Sequence, residues 1–204
     1  MIPFRFYPIS NVERTGEAAL LESLERAARS GLRAFQLREK GMSARDLLSL
    51  ALRARAILRP LGALLFVNDR VDVALAAGAD GVHLPATSLP PDRARALWPR
   101  PRLLGVSAHD GAEMARAREG GADFVTLAPV FSTPGKPAPL GLERFGGLAR
   151  EAGLPVLALG GVNLERIPDC LRAGAHGVSA IGLFRDSPDI EADLGRIEAL
   201  LGSL

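Results

Sequence analysis

Gly78-Ala79-Asp80-Gly81-Val82-His83-Leu84 is the stretch from which the fold is read. A glycine leads straight into a short apolar run that carries one histidine. The same arrangement recurs as Gly31-Leu-Arg-Ala-Phe-Gln-Leu37, Gly121-Ala-Asp-Phe-Val-Thr-Leu127 and Gly174-Ala-His-Gly-Val-Ser-Ala180, with the glycines 47, 43 and 53 residues apart. Each glycine suits the left-handed end of a preceding helix, and each run suits a buried strand.

Outward from these copies, the pattern predicts strands at 4–9, 34–38, 64–68, 81–84, 103–107, 124–127, 156–159 and 178–181. Amphipathic stretches fill the gaps at 17–29, 43–58, 69–77, 91–98, 111–119, 141–151, 164–173 and 190–201. Ser43, Pro90-Pro91-Asp92 and Asp110 stand where helices start. Strict alternation of strand and helix calls for a parallel sheet. The repeat falls on strands two, four, six and eight, so each period holds two strand–helix units. That fits a closed α/β architecture, a (β/α)8 TIM barrel with an eight-stranded parallel core. A doubly wound open sheet is the alternative, but its glycine-rich turn after the first strand is absent at Ser10-Asn11. No linker or low-complexity segment divides residues 1–204, which read as one domain.

Composition narrows the partners. The chain is 48% hydrophobic and 24% charged, as in globular proteins. A net charge of +2 and 5% aromatic content argue against a nucleic-acid surface with stacking platforms. No recognition-helix motif points to DNA. No apolar run approaches membrane-spanning length, and no signal-peptide pattern opens the chain, so a cytoplasmic location is expected. The single cysteine, Cys170, allows neither an internal disulfide nor a cysteine zinc site, and reads as a small apolar residue on a helix. Arginine carries the basic charge; Lys40 and Lys136 are the two lysines. Self-association is left open.

In a barrel of this kind the site lies at the C-terminal strand ends. Polar residues gather there. Gln36, Arg38 and Lys40 follow strand two and alternate along one face for as long as the strand lasts. Asn68 and Asp69 follow strand three, where they could also cap a helix. His83 ends strand four, and reads first as a hydrogen-bonded barrel histidine. Ser107 and His109 follow strand five, with His109-Asp110 readable as a loop and cap pair. A loop rich in glycine and proline, holding Thr133 and Lys136, follows strand six. Gly160-Gly161 follow strand seven, and Ser179 and Gly182 belong to strand eight and its end. Glycine amides after the last two strands suit a phosphate. Arg38, Lys40 and Lys136 offer a second anion site. Two such sites at one mouth fit small phosphorylated substrates. No nucleophile has an activating base beside it; a reaction driven by departure of a stabilised anion needs none.

The motifs Gln36-Leu-Arg-Glu-Lys40, Val67-Asn-Asp-Arg70, Asp80-Gly-Val-His-Leu84, Gly105-Val-Ser-Ala-His109, Gly121-Ala-Asp-Phe-Val125, Pro129-Val-Phe-Ser-Thr133 with Lys136, and Gly160-Gly161 resemble the thiamine phosphate synthase/TenI family. The resemblance spans nearly the whole chain in order. It implies joining of a pyrimidine-methyl diphosphate to a thiazole phosphate, with release of pyrophosphate. It implies that Gln36 orients the pyrimidine and that Arg38, Lys40, Asn68, Ser107 and Lys136 hold the diphosphate. Asp69 would bind Mg²⁺, while Thr133 and the amides of Gly160, Gly161 and Gly182 would hold the thiazole phosphate. The family's synthases usually place a second carboxylate after the fourth strand; here that position is Ser88, a poor Mg²⁺ ligand beside a carboxylate. A threonine common two positions after Thr133 is Gly135, and the loop near Gly182 is a residue short. Loss of the carboxylate is seen in TenI-like members, some of them thiazole tautomerases. The histidine that a tautomerase would carry is Pro129, and His83 and His109 are replacements by location alone. Three readings therefore stand: synthase-type transfer, tautomerisation, and a non-catalytic barrel that binds thiazole or thiamine phosphate.

Overall fold

The computed structural model describes residues 2–99 and 102–202. Eight strands form its centre: β1 (Phe6–Pro8), β2 (Ala34–Leu37), β3 (Leu64–Asn68), β4 (Gly81–Leu84), β5 (Leu103–Ala108), β6 (Phe124–Leu127), β7 (Val156–Ala158) and β8 (Gly177–Ala180). Their order is β1-β8-β7-β6-β5-β4-β3-β2, with all seven pairings parallel. A parallel bridge from Ile9 to Gln36 closes the ring, and the Ser10 amide donates to the Gln36 carbonyl at 2.9 Å. The barrel read from the sequence is present.

The helices surround it: α1 (Val12–Thr15), α2 (Glu17–Arg29), α3 (Ala44–Leu58), α4 (Val71–Ala77), α5 (Pro91–Leu97), α6 (Gly111–Glu119), α7 (Gly141–Glu151), α8 (Ile167–Arg172), α9 (Gly182–Arg185) and α10 (Ile190–Gly202), with 3₁₀ turns at Arg59–Leu61 and Leu164–Arg166. Ser43 caps α3 through the Asp46 amide, and Asp110 caps α6 through the Glu113 amide. The repeat glycines, Gly31, Gly78, Gly121 and Gly174, all have positive φ, between 63° and 108°. A side chain there would be strained.

The boundaries differ from the sequence reading where the signal is short. The first strand is confined to Phe6–Pro8, and α4 begins at Val71 rather than Asp69. Helices α1 and α9 were not expected; four residues are too few to show a helical period.

Two apolar clusters fill the molecule. The outer one lies between strands and helices and includes Phe35, Leu37, Val67, Val82, Leu84, Val125 and Val178. The inner one, Ile2, Phe4, Tyr7, Ala34, Phe66, Phe124 and Leu157, plugs the barrel. Phe4 stacks on Tyr7, and the other ring pairs pack edge to face, with Tyr7 and Phe66 centroids 5.1 Å apart and Tyr7 and Phe124 5.3 Å apart. Glycine makes the room. Gly81 pairs with Phe66 and Gly105 with Phe124. A Cβ on Gly81 would lie 2.1 Å from the Phe66 ring, and one on Gly105 would lie 2.4 Å from the Phe124 ring.

Glu39 secures the β1–β2 seam. Its buried carboxylate accepts from the Ser10 hydroxyl and from the Val12 amide at 2.9 Å, while Ser10 Oγ accepts from the Arg38 amide at 2.7 Å. Burial raises the Glu39 pKa, and those hydrogen bonds oppose the rise. The chain leaving β1 is thus tied to the segment that carries Arg38 and Lys40.

Candidate active site

Above the aromatic plug the interior turns polar. The sixth position of the four repeat copies supplies Gln36, His83, Thr126 and Ser179, all buried. Between them stand Asn68 at the end of β3 and Ser107 in β5. His83 Nε2 lies 3.0 Å from Ser107 Oγ and 3.4 Å from Thr126 Oγ1. The hydroxyl of Ser179 donates to the Tyr7 carbonyl at 2.7 Å. His83 is a barrel histidine bonded at one nitrogen; its Nδ1 has no partner. Burial, followed by the charge of Arg38, lowers its pKa to about 3, so the ring is neutral.

Gln36 Nε2 and the Tyr7 hydroxyl are also buried without a hydrogen-bond partner. Burial holds the Tyr7 pKa well above its usual value, with the nearby Gln36 side chain opposing the rise. His83 Nδ1 abuts Gly105, where an added Cβ would stand 2.6 Å from it, so the floor is left incomplete at Gln36 Nε2, with the Tyr7 hydroxyl in the plug below. A polar group left unpaired costs about 1–3 kcal/mol, so a partner for Gln36 would be favoured.

The rim adds charge. Arg38 is half-buried and close enough to act on His83, whereas Lys40 lies past the strand end and is exposed. The alternation that would carry Lys40 on the face of Gln36 and Arg38 stops at Leu37, where β2 ends. Lys136 is exposed on the 129–141 loop. That loop closes on its own base, since Leu140 and Gly141 donate to the carbonyls of Pro129 and Val130 at 2.8 and 3.0 Å. Among the described residues, Arg38, Lys40 and Lys136 pair with no carboxylate. By contrast, Arg29, Arg53, Arg95 and Arg172 on the outside do.

Asp69 adopts φ 66°, and its amide donates to the His83 carbonyl at 2.8 Å. Helix α4 has no side-chain cap, so Asp69 is not a capping residue. Its exposed carboxylate instead accepts from the Ser88 hydroxyl. The position where a second carboxylate would stand therefore does meet Asp69, and it meets it with a hydroxyl. Among the described residues no group of three His, Cys, Asp or Glu side chains could hold a metal. The residues present do not complete a Mg²⁺ site by themselves.

Across the mouth, Thr133, Gly160 and Gly161 come together. Gly160 and Gly161 have φ of 94° and 64°. A Cβ on Gly160 would lie 2.8 Å from Pro129 and 3.4 Å from Thr133 Oγ1; one on Gly161 would lie 2.8 Å from Phe131. The loop after β6 bonds to the chain after β7, through Val130 to Leu159 at 2.9 Å and Phe131 to Gly160 at 3.0 Å. Among the described residues the amides of Gly160, Gly161, Val162 and Gly182 donate no hydrogen bond. Gly182 opens α9 beside the carboxylate of Asp186, which pairs with Arg185.

His109 is exposed and lies 2.9 Å from Glu113, next to the Asp110 cap, as the loop-and-cap reading expects. Cys170 is buried on α8, and burial pushes its thiol up to about 11, so it is inert. Sequence reasoning did not single out Tyr7, Thr126, Glu39 or Arg166. Thr126 was within reach, because it shares the repeat position of Gln36 and His83; Tyr7, Glu39 and Arg166 reveal themselves only through contacts.

Fold and mouth define a (β/α)8 barrel with an unfinished polar floor at its strand ends, the place where such barrels act on small molecules. The chain belongs to the thiamine monophosphate synthase family, whose pattern matches residues 6–184, and so to thiamine biosynthesis. It is 40% identical over 200 residues to the thiamine-phosphate synthase of Roseiflexus sp. (strain RS-1), covering 97% of this chain and 85% of that one. With the thiamine-phosphate synthase of Chloroflexus aurantiacus it shares 35% identity, covering 98% and 94%. The solved thiamine phosphate pyrophosphorylase from Pyrococcus furiosus superposes with a TM-score of 0.87 at 29% identity, over 97% of this chain and 95% of that one. No helix among the described residues is long and apolar enough to cross a membrane.

Proposed function

We propose that the chain transfers a pyrimidine-methyl group from its diphosphate to the ring nitrogen of a thiazole phosphate, releasing pyrophosphate. The observation that carries this reading is a set of cations without a carboxylate partner among the described residues, Arg38 and Lys40 after β2 and Lys136 on the loop of Thr133, at the same strand ends as the free amides of Gly160, Gly161 and Val162. Cations after β2 and free amides after β7 suit two anionic groups at one mouth. Gln36 orients the pyrimidine from the floor, with Asn68 and Ser107 beside it. Thr133 and the glycine amides, including Gly182, hold the thiazole phosphate.

The bond from the methylene carbon to the diphosphate oxygen breaks, and its electron pair leaves with the diphosphate. The thiazole nitrogen lone pair then forms the new carbon–nitrogen bond. No proton is removed, which agrees with a His83 that burial makes a poor base. The cations stabilise charge that builds on the departing group. Asp69 would be the residue to hold a Mg²⁺ that arrives with the diphosphate, and the ion would add positive charge on the leaving group.

One observation favours a second reading. The Ser88 hydroxyl stands on Asp69 where a carboxylate would serve a metal. A barrel that binds thiazole phosphate without transferring to it would tolerate this. A tautomerase is less well supported, because His83 is too weak a base at neutral pH and His109 is engaged by Glu113.

The test is to incubate the protein with both heterocycles and Mg²⁺ and to follow pyrophosphate and thiamine phosphate. Stoichiometric formation of both supports transfer. Intact thiazole phosphate binding with no product would remove the transfer reading. Ser88→Asp sharpens the result. It should strengthen binding of Mn²⁺ to the substrate-free protein about tenfold or more, read by electron paramagnetic resonance, and it should raise turnover if the metal limits the rate.

A further inference from the structure

Arg166 has no part in the roles assigned above, yet it is in direct contact with the glycine pair. Its Nη1 donates to the Gly161 carbonyl at 2.6 Å. Its guanidinium lies over the Phe131 ring, 4.5 Å from the centroid. Its own amide is fixed by the Asn163 side chain at 3.0 Å. It is half-buried, and among the described residues it pairs with no carboxylate. One side chain therefore grips both loops of the glycine side: the loop after β7 through Gly161, and the loop after β6 through Phe131.

The grip has a directional consequence. A peptide is planar and trans, so its carbonyl and its amide point in opposite directions. Arg166 holds the Gly161 carbonyl on its own side. The amide of the same peptide, Val162 N–H, is thereby aimed the other way, and it donates to nothing among the described residues. At φ 64° Gly161 has little Cβ penalty to oppose a flip of that peptide, so a glycine hinge needs an external restraint. Arg166 supplies it, and its unpaired charge adds positive potential to the same region. The contact with Phe131 braces the guanidinium from the other side.

We infer that Arg166 is a positioning residue for a phosphate monoester site, locking the Gly161–Val162 peptide so that its amide faces the anion. This rests on the assignment of the glycine side as the phosphate cradle, and it adds a residue that does not itself touch the substrate.

The experiment compares wild type, Arg166→Met and Arg166→Lys with two probes, inorganic phosphate and inorganic pyrophosphate, by calorimetry. In parallel, ¹⁵N-labelled protein reports the Val162 amide, whose shift senses the hydrogen bond on the Gly161 carbonyl. Arg166→Met should weaken phosphate about tenfold, leave pyrophosphate within twofold, and move the Val162 nitrogen resonance. Arg166→Lys should restore part of both losses, since it keeps a donor and a charge without the planar stack. Unchanged phosphate affinity in Arg166→Met, beside clear binding by wild type, would overturn the inference while sparing the cradle. Wild type that binds pyrophosphate but no phosphate would overturn the cradle itself. Equal loss of both probes together with a lower melting temperature would show that Arg166 merely holds the loops in place.

Discussion

Below the level of His83 the barrel is filled by Phe4, Tyr7, Phe66, Phe124 and Leu157, with glycines opposite two of the rings. Above it the barrel strands present Gln36, Asn68, Ser107, Thr126 and Ser179. Where the repeat crosses them, as at Phe124 and Thr126 or Gly81 and His83, the two layers lie two residues apart, and they differ in completeness. The lower layer leaves no room and asks for nothing, apart from the Tyr7 hydroxyl that reaches up out of it. The upper layer leaves Gln36 Nε2 and His83 Nδ1 without partners and has unpaired cations above it. A protein interior packs like an organic crystal and satisfies its polar atoms, so a layer that does the first and a layer that fails the second have different tasks. One supports the barrel; the other is, on the proposed reading, where a ligand docks.

If that division is right, substitutions in the lower layer should cost stability and spare binding. Gly81→Ala is the strongest case. Its new methyl would stand 2.1 Å from the Phe66 ring, and Phe66 is hemmed in by Phe4, Tyr7 and Phe124. The ring has no direction in which to yield cheaply. Gly81→Ala should lose about 3 kcal/mol in urea denaturation, with pyrophosphate affinity of the folded fraction unchanged. A fully stable variant would mean that the plug is looser than its contacts imply.

The upper rim should behave in the opposite way. Arg38→Ala removes a half-buried cation with no ion pair among the described residues, so little stability is at stake. Loss of a charge-assisted contact of about 2 kcal/mol corresponds to roughly 30-fold weaker pyrophosphate binding. Calorimetry checks the affinity and a urea melt checks the stability. Should Arg38→Ala unfold the protein while pyrophosphate still binds tightly, the division between the layers fails.

This contrast also marks what could be read from the chain alone. The glycine that precedes each even-numbered strand was legible, because a left-handed helix end and a short apolar run leave a local signature. The mouth residues were legible as a group, because parallel strands put all their ends on one side. The face of Lys40 was not legible, since alternation says nothing about where a strand stops, and β2 stops at Leu37. The seam through Glu39 and Ser10, 29 residues apart, left no local trace. Neither did the clasp of Arg166 on Phe131. Such contacts are set by how loops meet across the barrel, and no spacing within one loop encodes that.

The smallest effect lies at the boundary of the two layers, in His83. Its folded pKa is held near 3, against 6.5 for the free side chain, because burial and Arg38 both oppose a charge there. The unfolded chain takes up a proton as pH falls through 6.5 and the folded protein does not. The stability that this group contributes is therefore complete above 6.5 and is lost as pH falls towards 3. Between pH 7.5 and 5.5 the loss should be about 1.4 kcal/mol from His83 alone. His176, whose pKa is also lowered by burial, adds a change of the same sign. The informative quantity is thus the difference between wild type and His83→Gln, which keeps a polar group facing Ser107 but has no proton to gain. Urea melts at the two pH values should show a shallower dependence in the variant. Parallel curves would mean that water reaches His83 from the mouth, and that the boundary between the dry plug and the wet floor lies one layer lower, at Tyr7.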